Sequence, residues 1–325
     1  YREWLKENEP PGTGGMFGHG IKNNDWTARP WHTDEGLHHT NWTVNQALDF
    51  LEKRDPSTPF LLCVSFFAAH PPLTPPAFYF DRYLRADIPE PDIGDWAVPP
   101  PNEGLGVGPS TQSVNLTGEA LRSCRAGYYG LINHMDDQMN RLLNNVQGID
   151  SMTGRNTVVM LVSDHGEMLG DHYRYHKTLP HESSSRIPFL MRGPEHLGFT
   201  PGKVCDQPVC LEDVTPTVLD MAGVDCPDSV EGRSLMPFLR EDTPAWRDCL
   251  HLEHAPKHQS LTDGKEKFIW YVKDGTEQFF DLTEDSRECH NLIGDPGRRE
   301  KIGAWRRTLI EILKERPEGF SDGEK

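Results

Sequence analysis

Apolar residues recur along the chain in short periodic runs rather than in one long block. Residues 41–54 place their apolar side chains on one helical face, and Asn41 is the expected N-cap of that helix. The same spacing continues for longer over residues 119–147, which predicts the longest helix of the chain. Two further helices are expected over residues 212–223 and roughly 297–315.

Two continuous apolar runs lack the helical period and predict strands buried on both faces. They cover residues 59–67 and 157–162. The first gives way to a loop at His70, and the second ends at Asp164. The stretch 71–118 is dense in proline and glycine and predicts a long loop of the kind that is usually functional.

The order of these elements indicates an α/β fold. A helix followed by a β-branched strand that ends in polar residues is the unit of an open sheet, and such sheets bind ligands beyond the carboxyl ends of their strands. Residues 1–40 show no sustained period and are expected to be irregular. After about residue 245 the pattern predicts an antiparallel meander, with short strands at 251–254, 267–272 and 277–282. We therefore expect a catalytic-type domain over 1–244 and an α+β subdomain over 245–325.

The charge balance excludes some classes of partner. The chain has 33 Lys and Arg against 50 Asp and Glu, a formal net charge of −17. A field of that sign repels nucleic-acid phosphates, so no nucleic-acid partner is expected. No apolar run approaches the length of a membrane helix, so no membrane span is expected. An enzyme acting on anions would need local positive charge to overcome this field.

The strongest motif is VVMLVSDHGEMLGDHYRYHKTLPHESSSRIPFLMRGP, residues 158–194. This stretch resembles the sulfatases in the order and spacing of its parts. They are a strand, a Ser-Asp-His-Gly-Glu turn, a lysine, a serine-rich turn and a second apolar strand. The His-Pro-Pro at 70–72 and the helical sequence at 125–143 are similar to the same family. The resemblance covers most of residues 35–295. It implies an alkaline-phosphatase-like mixed sheet flanked by helices, with a smaller C-terminal antiparallel sheet plus helix.

Asp164 and His165 are the candidate metal ligands. A carboxylate at a strand end, near the small Gly166, suits a hard divalent cation that takes oxygen ligands. The resemblance implies one such cation, expected to be Ca²⁺, bound by Asp164 and His165. A histidine is less suited to calcium than an oxygen ligand is, so His165 could instead donate a hydrogen bond to sulfate. Taken alone, Asp164 could equally be an N-cap.

The resemblance implies three further site residues. Lys177 matches the family lysine that contacts the sulfate group, where an ammonium neutralises charge on the equatorial oxygens. His70 matches a histidine that contacts sulfate and protonates the leaving oxygen, work that suits an imidazole pKa near neutrality. His176 lies in the same segment as Lys177 and is a candidate substrate contact. Without the motif, a solvated role for Lys177 would be the better interpretation.

The family nucleophile is not recognisable in this sequence. Sulfatases carry a formylglycine, made from a cysteine or serine in a Cys-x-Pro-Ser-Arg-type motif, and none of the seven cysteines here has that context. The paired aspartates that supply the other metal ligands in the family are not found either. Both are expected upstream of Tyr1, so the chain resembles the C-terminal portion of a sulfatase and alone is expected to be inactive.

Three functions remain open from the sequence. The first is hydrolysis of a sulfate monoester, with a sulfated small molecule or glycan as substrate. The second is a related two-metal phosphohydrolase or phosphodiesterase, although Lys177 favours a single metal because two-metal sites need extra Asp and His ligands. The third is a non-catalytic homologue that binds a partner or a sulfated glycan. The cellular compartment is not indicated.

Overall fold

The computed structural model describes residues 1–101, 108–153, 157–240 and 244–323. The chain divides into two compact units, each described here by itself. The first comprises Tyr1–Pro91, Val98–Thr157 and Leu169–His176, and the second comprises Asp92–Ala97, Val158–Met168 and Lys177–Lys325. The boundary expected between residues 244 and 245 lies inside the second unit and stays a prediction.

The first unit is built on helices. They are α1 (Arg2–Asn8), α2 (His39–Lys53), α3 (Ala77–Leu84) and α4 (Gly118–Thr153). Helices α2 and α4 confirm the two predicted from apolar spacing. Helix α1 lies in the segment expected to be irregular, and α3 interrupts the expected long loop. Both have at most 8 residues, too few for a helical period to show in the sequence.

The predicted N-cap of α2 was wrong. The helix begins two residues earlier, and His38 is its N-cap, with Nδ1 accepting a hydrogen bond from the Thr40 amide at 3.2 Å. Asn41 lies in the first turn instead, where its Oδ1 is 2.6 Å from His134 Nε2 on α4. The side chain expected to cap the helix therefore ties two helices together.

The strand predicted at residues 59–67 was also wrong. The structure assigns this segment no strand, and its burial alternates, with Leu61 78% exposed and Leu62 half-buried. A strand forms only where its backbone can hydrogen-bond to a neighbouring strand. An apolar run indicates that a segment tends to be buried, but it does not identify a neighbouring strand. The masked stretches 102–107, 154–156, 241–243 and 324–325 lie outside the described residues.

The second unit begins with a short antiparallel ribbon. Strand β1 (Val159–Val162) pairs with β2 (Phe189–Arg192), Val159 facing Arg192 and Val162 facing Phe189. This confirms the predicted strand at 157–162, although its residues are half-buried rather than fully buried. The ribbon's unit also contains the helices α5 (Glu182–Ser185), α6 (Val214–Ala222) and α7 (Met236–Arg240). Helix α6 confirms the prediction for residues 212–223.

The C-terminal sheet confirms the predicted meander. Its strands, in spatial order, are β3 (Leu250–His254), β4 (His258–Thr262), β5 (Glu266–Tyr271) and β6 (Glu277–Asp281). All neighbouring pairs are antiparallel, and helix α8 (Arg299–Leu313) follows. Strand β4 was not predicted, because HQSLT lacks the alternating apolar pattern of a half-buried strand.

Each face of this sheet packs against a different surface. One face presents Leu261, Phe268 and Phe279 to Ile302 and Leu309 of α8. The other carries Ile269 and Phe280, which pack with Trp96. Because alternate residues share a face, His258 and Lys267 lie on this second face, with Lys267 paired to Phe280. Both side chains are buried, which makes them candidates for a specific role.

None of the helices in the described part of the chain is long and apolar enough to span a membrane.

Candidate active site

Two of the predicted site residues, His70 and His176, belong to the first unit. His70 is half-buried, and its Nδ1 lies 2.6 Å from the carbonyl oxygen of Pro71. Because a carbonyl only accepts, Nδ1 carries the hydrogen, and Nε2 is the ring nitrogen able to gain or release a proton. His176 is 4% exposed and has a positive φ of 68°.

Asp164 and His165 lie side by side at the end of β1 in the second unit. The carboxylate of Asp164 is oriented by the next residue, since its Oδ1 accepts from the His165 amide at 3.0 Å. The imidazole of His165 is oriented through Nδ1, which lies 2.8 Å from the Gly166 carbonyl. That bond places the hydrogen on Nδ1 and the lone pair of the neutral ring on Nε2. Nε2 lies 3.6 Å from Asp164 Oδ2.

This pair fits two ligands of one cation. Asp164 Oδ2 and His165 Nε2 lie 3.6 Å apart, a separation at which both atoms could contact one cation. The side chain of Asp164 is 83% exposed, so the carboxylate is open to an incoming ion. The geometry and the donor atoms therefore suit a shared metal.

Two side chains alone would not hold a divalent cation. Among residues 1–101, 108–153, 157–240 and 244–323, no group of three or more His, Cys, Asp or Glu side chains is arranged to hold a metal ion. A divalent cation usually takes at least four ligands, and calcium takes six to eight. Asp164 and His165 would therefore hold a cation together with ligands that lie outside this arrangement.

Lys177 is half-buried and begins a loop that the structure ties to the Asp164 turn. We call residues 177–185 the lysine loop. The amide of Gly166 donates to the Ser184 carbonyl at 2.8 Å, which joins the lysine loop to the turn after β1. A Cβ on residue 166 would lie 2.2 Å from the Ser183 carbonyl oxygen, so only glycine fits. Gly166 is therefore required for the close packing of this turn against the lysine loop.

The structure adds residues around the lysine loop that the sequence analysis missed. Lys267 and Glu288 are fully buried and contact this loop, as does His258. One signal was available for Lys267, because a lysine inside the apolar strand EKFIWY needs a buried partner. No local signal identified that partner, since Glu288 lies 21 positions further along the chain.

Of the five predicted site residues, the second unit thus holds three. Asp164 and His165 are adjacent, and the loop that begins at Lys177 is hydrogen-bonded to their turn. His70 and His176 belong to the first unit. Convergence of Lys177 and Asp164 on one bound anion stays a prediction.

Comparison with known proteins identifies the family. The Sulfatase family model matches residues 3–224, and the model described as N-sulphoglucosamine sulphohydrolase, C-terminal, matches residues 170–315. The chain is 41% identical over 329 residues to an arylsulfatase of Clostridium perfringens (strain 13 / Type A), covering 100% of this chain and 68% of that protein.

Solved structures share the fold. A phosphonate monoester hydrolase of Agrobacterium radiobacter has a TM-score of 0.77 at 21% identity, covering 96% of this chain and 68% of that one. A structure in complex with its substrate D-glucosamine-2-N,6-O-disulfate has a TM-score of 0.66 at 22% identity, covering 89% and 72%.

These matches are extensive enough to identify the family. The matched relatives are longer than this chain. The chain spans 68%, 58%, 57% and 47% of the length of four curated relatives. The Sulfatase model nevertheless covers well over half of this chain, including the Asp164–His165 turn and Lys177. The chain belongs to the sulfatase family, with an alkaline-phosphatase-like fold.

Proposed function

We propose that this chain contributes to the hydrolysis of sulfate monoesters. The observation that carries the proposal is the pairing of Asp164 Oδ2 with His165 Nε2 at 3.6 Å, on a turn hydrogen-bonded to the loop of Lys177. Two metal ligands beside a lysine suit a bound tetrahedral anion, because both the cation and the ammonium neutralise charge that develops in the transition state.

Asp164 and His165 would hold one divalent cation, for which we propose Ca²⁺. The carboxylate supplies the hard oxygen ligand that calcium prefers. The neutral Nε2 of His165 supplies a nitrogen lone pair, kept in place by the Nδ1 bond to Gly166. When bound, such a cation polarises the sulfate oxygens.

Lys177 and His70 would act on the ester itself. The ammonium of Lys177 would bind a sulfate oxygen and offset negative charge as the ester bond breaks. For His70, the Pro71 carbonyl holds Nδ1–H, so Nε2 is the atom that would deliver a proton to the leaving oxygen. We propose His176 as a further substrate contact. The nucleophile, a formylglycine, is expected outside this sequence.

A sulfated sugar is the proposed substrate class, with aryl sulfates as the alternative. The solved relative with D-glucosamine-2-N,6-O-disulfate and the relative named N-acetylglucosamine-6-O-sulfatase support the sugar, and the relative named arylsulfatase supports the alternative.

The test is a substrate screen with the full-length natural protein. We expect release of sulfate from glucosamine 6-sulfate or 4-nitrophenyl sulfate, and loss of that activity on the order of 100-fold or more in Lys177→Met. Lys273→Met, at an exposed turn of the same unit, serves as the control and should leave the rate unchanged.

Two results would count against the proposal. One is turnover of phosphonate monoesters or phosphodiesters with no turnover of sulfate esters. The other is equal activity of the Lys177 and Lys273 variants. Sulfate release is measured by ion chromatography, and turnover of the phosphorus esters by release of 4-nitrophenol from their 4-nitrophenyl esters.

A further inference from the structure

The backbone around Lys177 is held in an uncommon conformation. His176 and Thr178, on either side of it, have φ values of 68° and 72°. Residues other than glycine rarely adopt this left-handed backbone conformation, and they keep it only where the surrounding structure holds them. The lysine loop therefore needs anchors outside itself, and the structure shows two of them on the second face of the C-terminal sheet.

The first anchor is Lys267 of β5. Its ammonium donates to the Pro180 carbonyl at 2.8 Å and to Glu182 Oε1 at 2.7 Å, and lies 2.9 Å from Glu288 Oε1. The side chain of Lys267 is 0% exposed and that of Glu288 is 1% exposed. Two hydrogen bonds and the ion pair with Glu288 surround a buried charge that would otherwise be very unfavourable. Two of these three partners, Pro180 and Glu182, belong to the lysine loop.

Glu288 also contacts the lysine loop directly. Its Oε2 accepts from the Glu182 amide at 2.6 Å, so Glu182 is bound through both its backbone and its side chain. The backbone carbonyl of Glu288 accepts from Trp96 Nε1 at 2.7 Å. The Trp96 ring in turn stacks on His181, with centroids 4.8 Å apart and planes 8° apart.

The second anchor is His258 of β4. Its Nε2 lies 3.3 Å from the carbonyl oxygen of Thr178, the residue next to Lys177. Because the carbonyl only accepts, Nε2 carries the hydrogen and donates it. His258 is 4% exposed. A buried donor therefore reaches the loop one residue from the functional ammonium.

We propose that Lys267, Glu288 and His258 are positioning residues of the active site, which hold the lysine loop so that Lys177 meets the sulfate group. This inference rests on the proposed function of Lys177. The hold extends to the metal ligands, because the Ser184 carbonyl accepts from Gly166 in the turn of Asp164 and His165. One buried cluster thus fixes the backbones that carry the ammonium and two cation ligands. A displacement of about 1 Å at such groups can cost on the order of 100-fold in rate.

Lys267→Met tests the first anchor, and Arg247→Met is its matched control. Arg247 also belongs to a buried ion pair of the second unit, with Asp213 at 2.6 Å. Its contacts are with residues 208, 210, 213 and 246, outside the lysine loop. Hydrogen exchange is followed by mass spectrometry on peptides covering residues 163–168 and 178–186, below the unfolding temperature of each variant.

In Lys267→Met we expect at least tenfold faster exchange in both peptides and a fall in kcat/KM for sulfate ester on the order of 100-fold. In Arg247→Met, exchange in these peptides and kcat/KM should change less than threefold. Equal effects of the two substitutions, on exchange or on rate, would show that Lys267 has only a general structural role and would overturn the proposal.

His258→Phe provides a second test if Lys267→Met does not fold. Phenylalanine fills the buried volume but cannot donate to Thr178, whereas His258→Gln retains a donor. We expect kcat to fall about tenfold in His258→Phe, equivalent to one weakened contact, with most of it restored in His258→Gln. Unchanged kcat in His258→Phe, or the same loss in both variants, would contradict the role of this hydrogen bond.

Failure of the proposed function is distinguishable from failure of this inference. If the full-length protein hydrolyses no sulfate ester, the proposed function is wrong, and exchange of the two peptides still shows whether Lys267 holds the loop. If sulfate ester is hydrolysed and Lys267→Met matches Arg247→Met, only the positioning role is wrong.

Discussion

Two buried polar clusters, one in each unit, are stabilised in opposite ways. In the second unit, the ion cluster of Lys267, Glu182 and Glu288 pairs a buried ammonium with two carboxylates. In the first unit, the histidine cluster of His38, His39 and His134 packs imidazole rings against one another. The centroids of His38 and His39 lie 4.0 Å apart, and those of His38 and His134 lie 4.8 Å apart.

The two clusters differ in whether their groups are buried in the charged or in the neutral form. In the ion cluster the charge of Lys267 and those of the two carboxylates attract one another, although burial raises the pKa of Glu288 above its ordinary value. Burial, together with the neighbouring rings, lowers the pKa of His39 to about 3, and burial lowers that of His134 to about 4. The pKa of His38 is held well below its usual value for the same reasons. The histidines are therefore buried as neutral rings, which the unfolded chain protonates between neutral and mildly acidic pH.

The largest expected effect comes from breaking the ion cluster at Glu288. Glu288→Leu removes a fully buried carboxylate and leaves the Lys267 ammonium and the Glu182 amide short of an acceptor. Removing one partner of a buried ion pair costs roughly 3–5 kcal/mol. Urea unfolding at pH 7, followed by tryptophan fluorescence, measures this loss. A loss below about 1 kcal/mol, the range of an exposed pair, would mean that burial does not strengthen this cluster.

The histidine cluster should respond to pH. Unfolded histidines titrate near pH 6.5, whereas folded His39 titrates at about 3. Below pH 6.5 the unfolded chain therefore binds a proton that the folded chain does not, and stability falls with pH until the folded pKa is reached. From pH 8 to pH 5, His39 alone should lower the free energy of unfolding by roughly 2 kcal/mol.

His39→Phe tests this titration. Phenylalanine keeps an aromatic ring against Phe67 and cannot be protonated, so the fall in stability from pH 8 to pH 5 should be smaller by roughly 2 kcal/mol. His196→Phe, at an exposed position of the second unit, is the control and should change the pH dependence far less. The carboxylate of Glu35 lies 3.7 Å from His134. It is present in both the wild type and His39→Phe, so it does not cause a difference between their pH curves. Parallel pH curves for the wild type and His39→Phe would contradict the buried neutral state.

The sequence predicted most elements whose signal is local. Helix α6 was recognisable because its apolar spacing ends at Gly223, which adopts a φ of 68° in the structure. Helix α8 and strands β3, β5 and β6 were recognisable from their own periods. The segment 59–67 was misjudged because pairing with a neighbouring strand is not encoded in the run itself.

The candidate site shows the same distinction between local signals and long-range contacts. Asp164, His165 and Lys177 were found because they lie within one 14-residue stretch whose order is distinctive. Lys267, Glu288 and His258 were not found because their contacts with the lysine loop cross 85, 106 and 80 positions of the chain. Such contacts depend on the sheet register and on side-chain reach, neither of which a single sequence reveals.

The smallest expected effect comes from an ion pair with contacts of similar length but greater exposure. Arg306 of α8 donates to Glu277 through Nε at 2.7 Å and through a terminal nitrogen at 2.5 Å, a two-point contact as short as those of Lys267. The side chains of Arg306 and Glu277 are 46% and 22% exposed, so water screens the attraction and also solvates either group when its partner is removed. Arg306→Met should therefore cost at most about 1 kcal/mol in urea unfolding at pH 7. A loss as large as that of Glu288→Leu would mean that contact geometry, rather than burial, sets the strength of both pairs, and the contrast between the buried clusters would then need another cause.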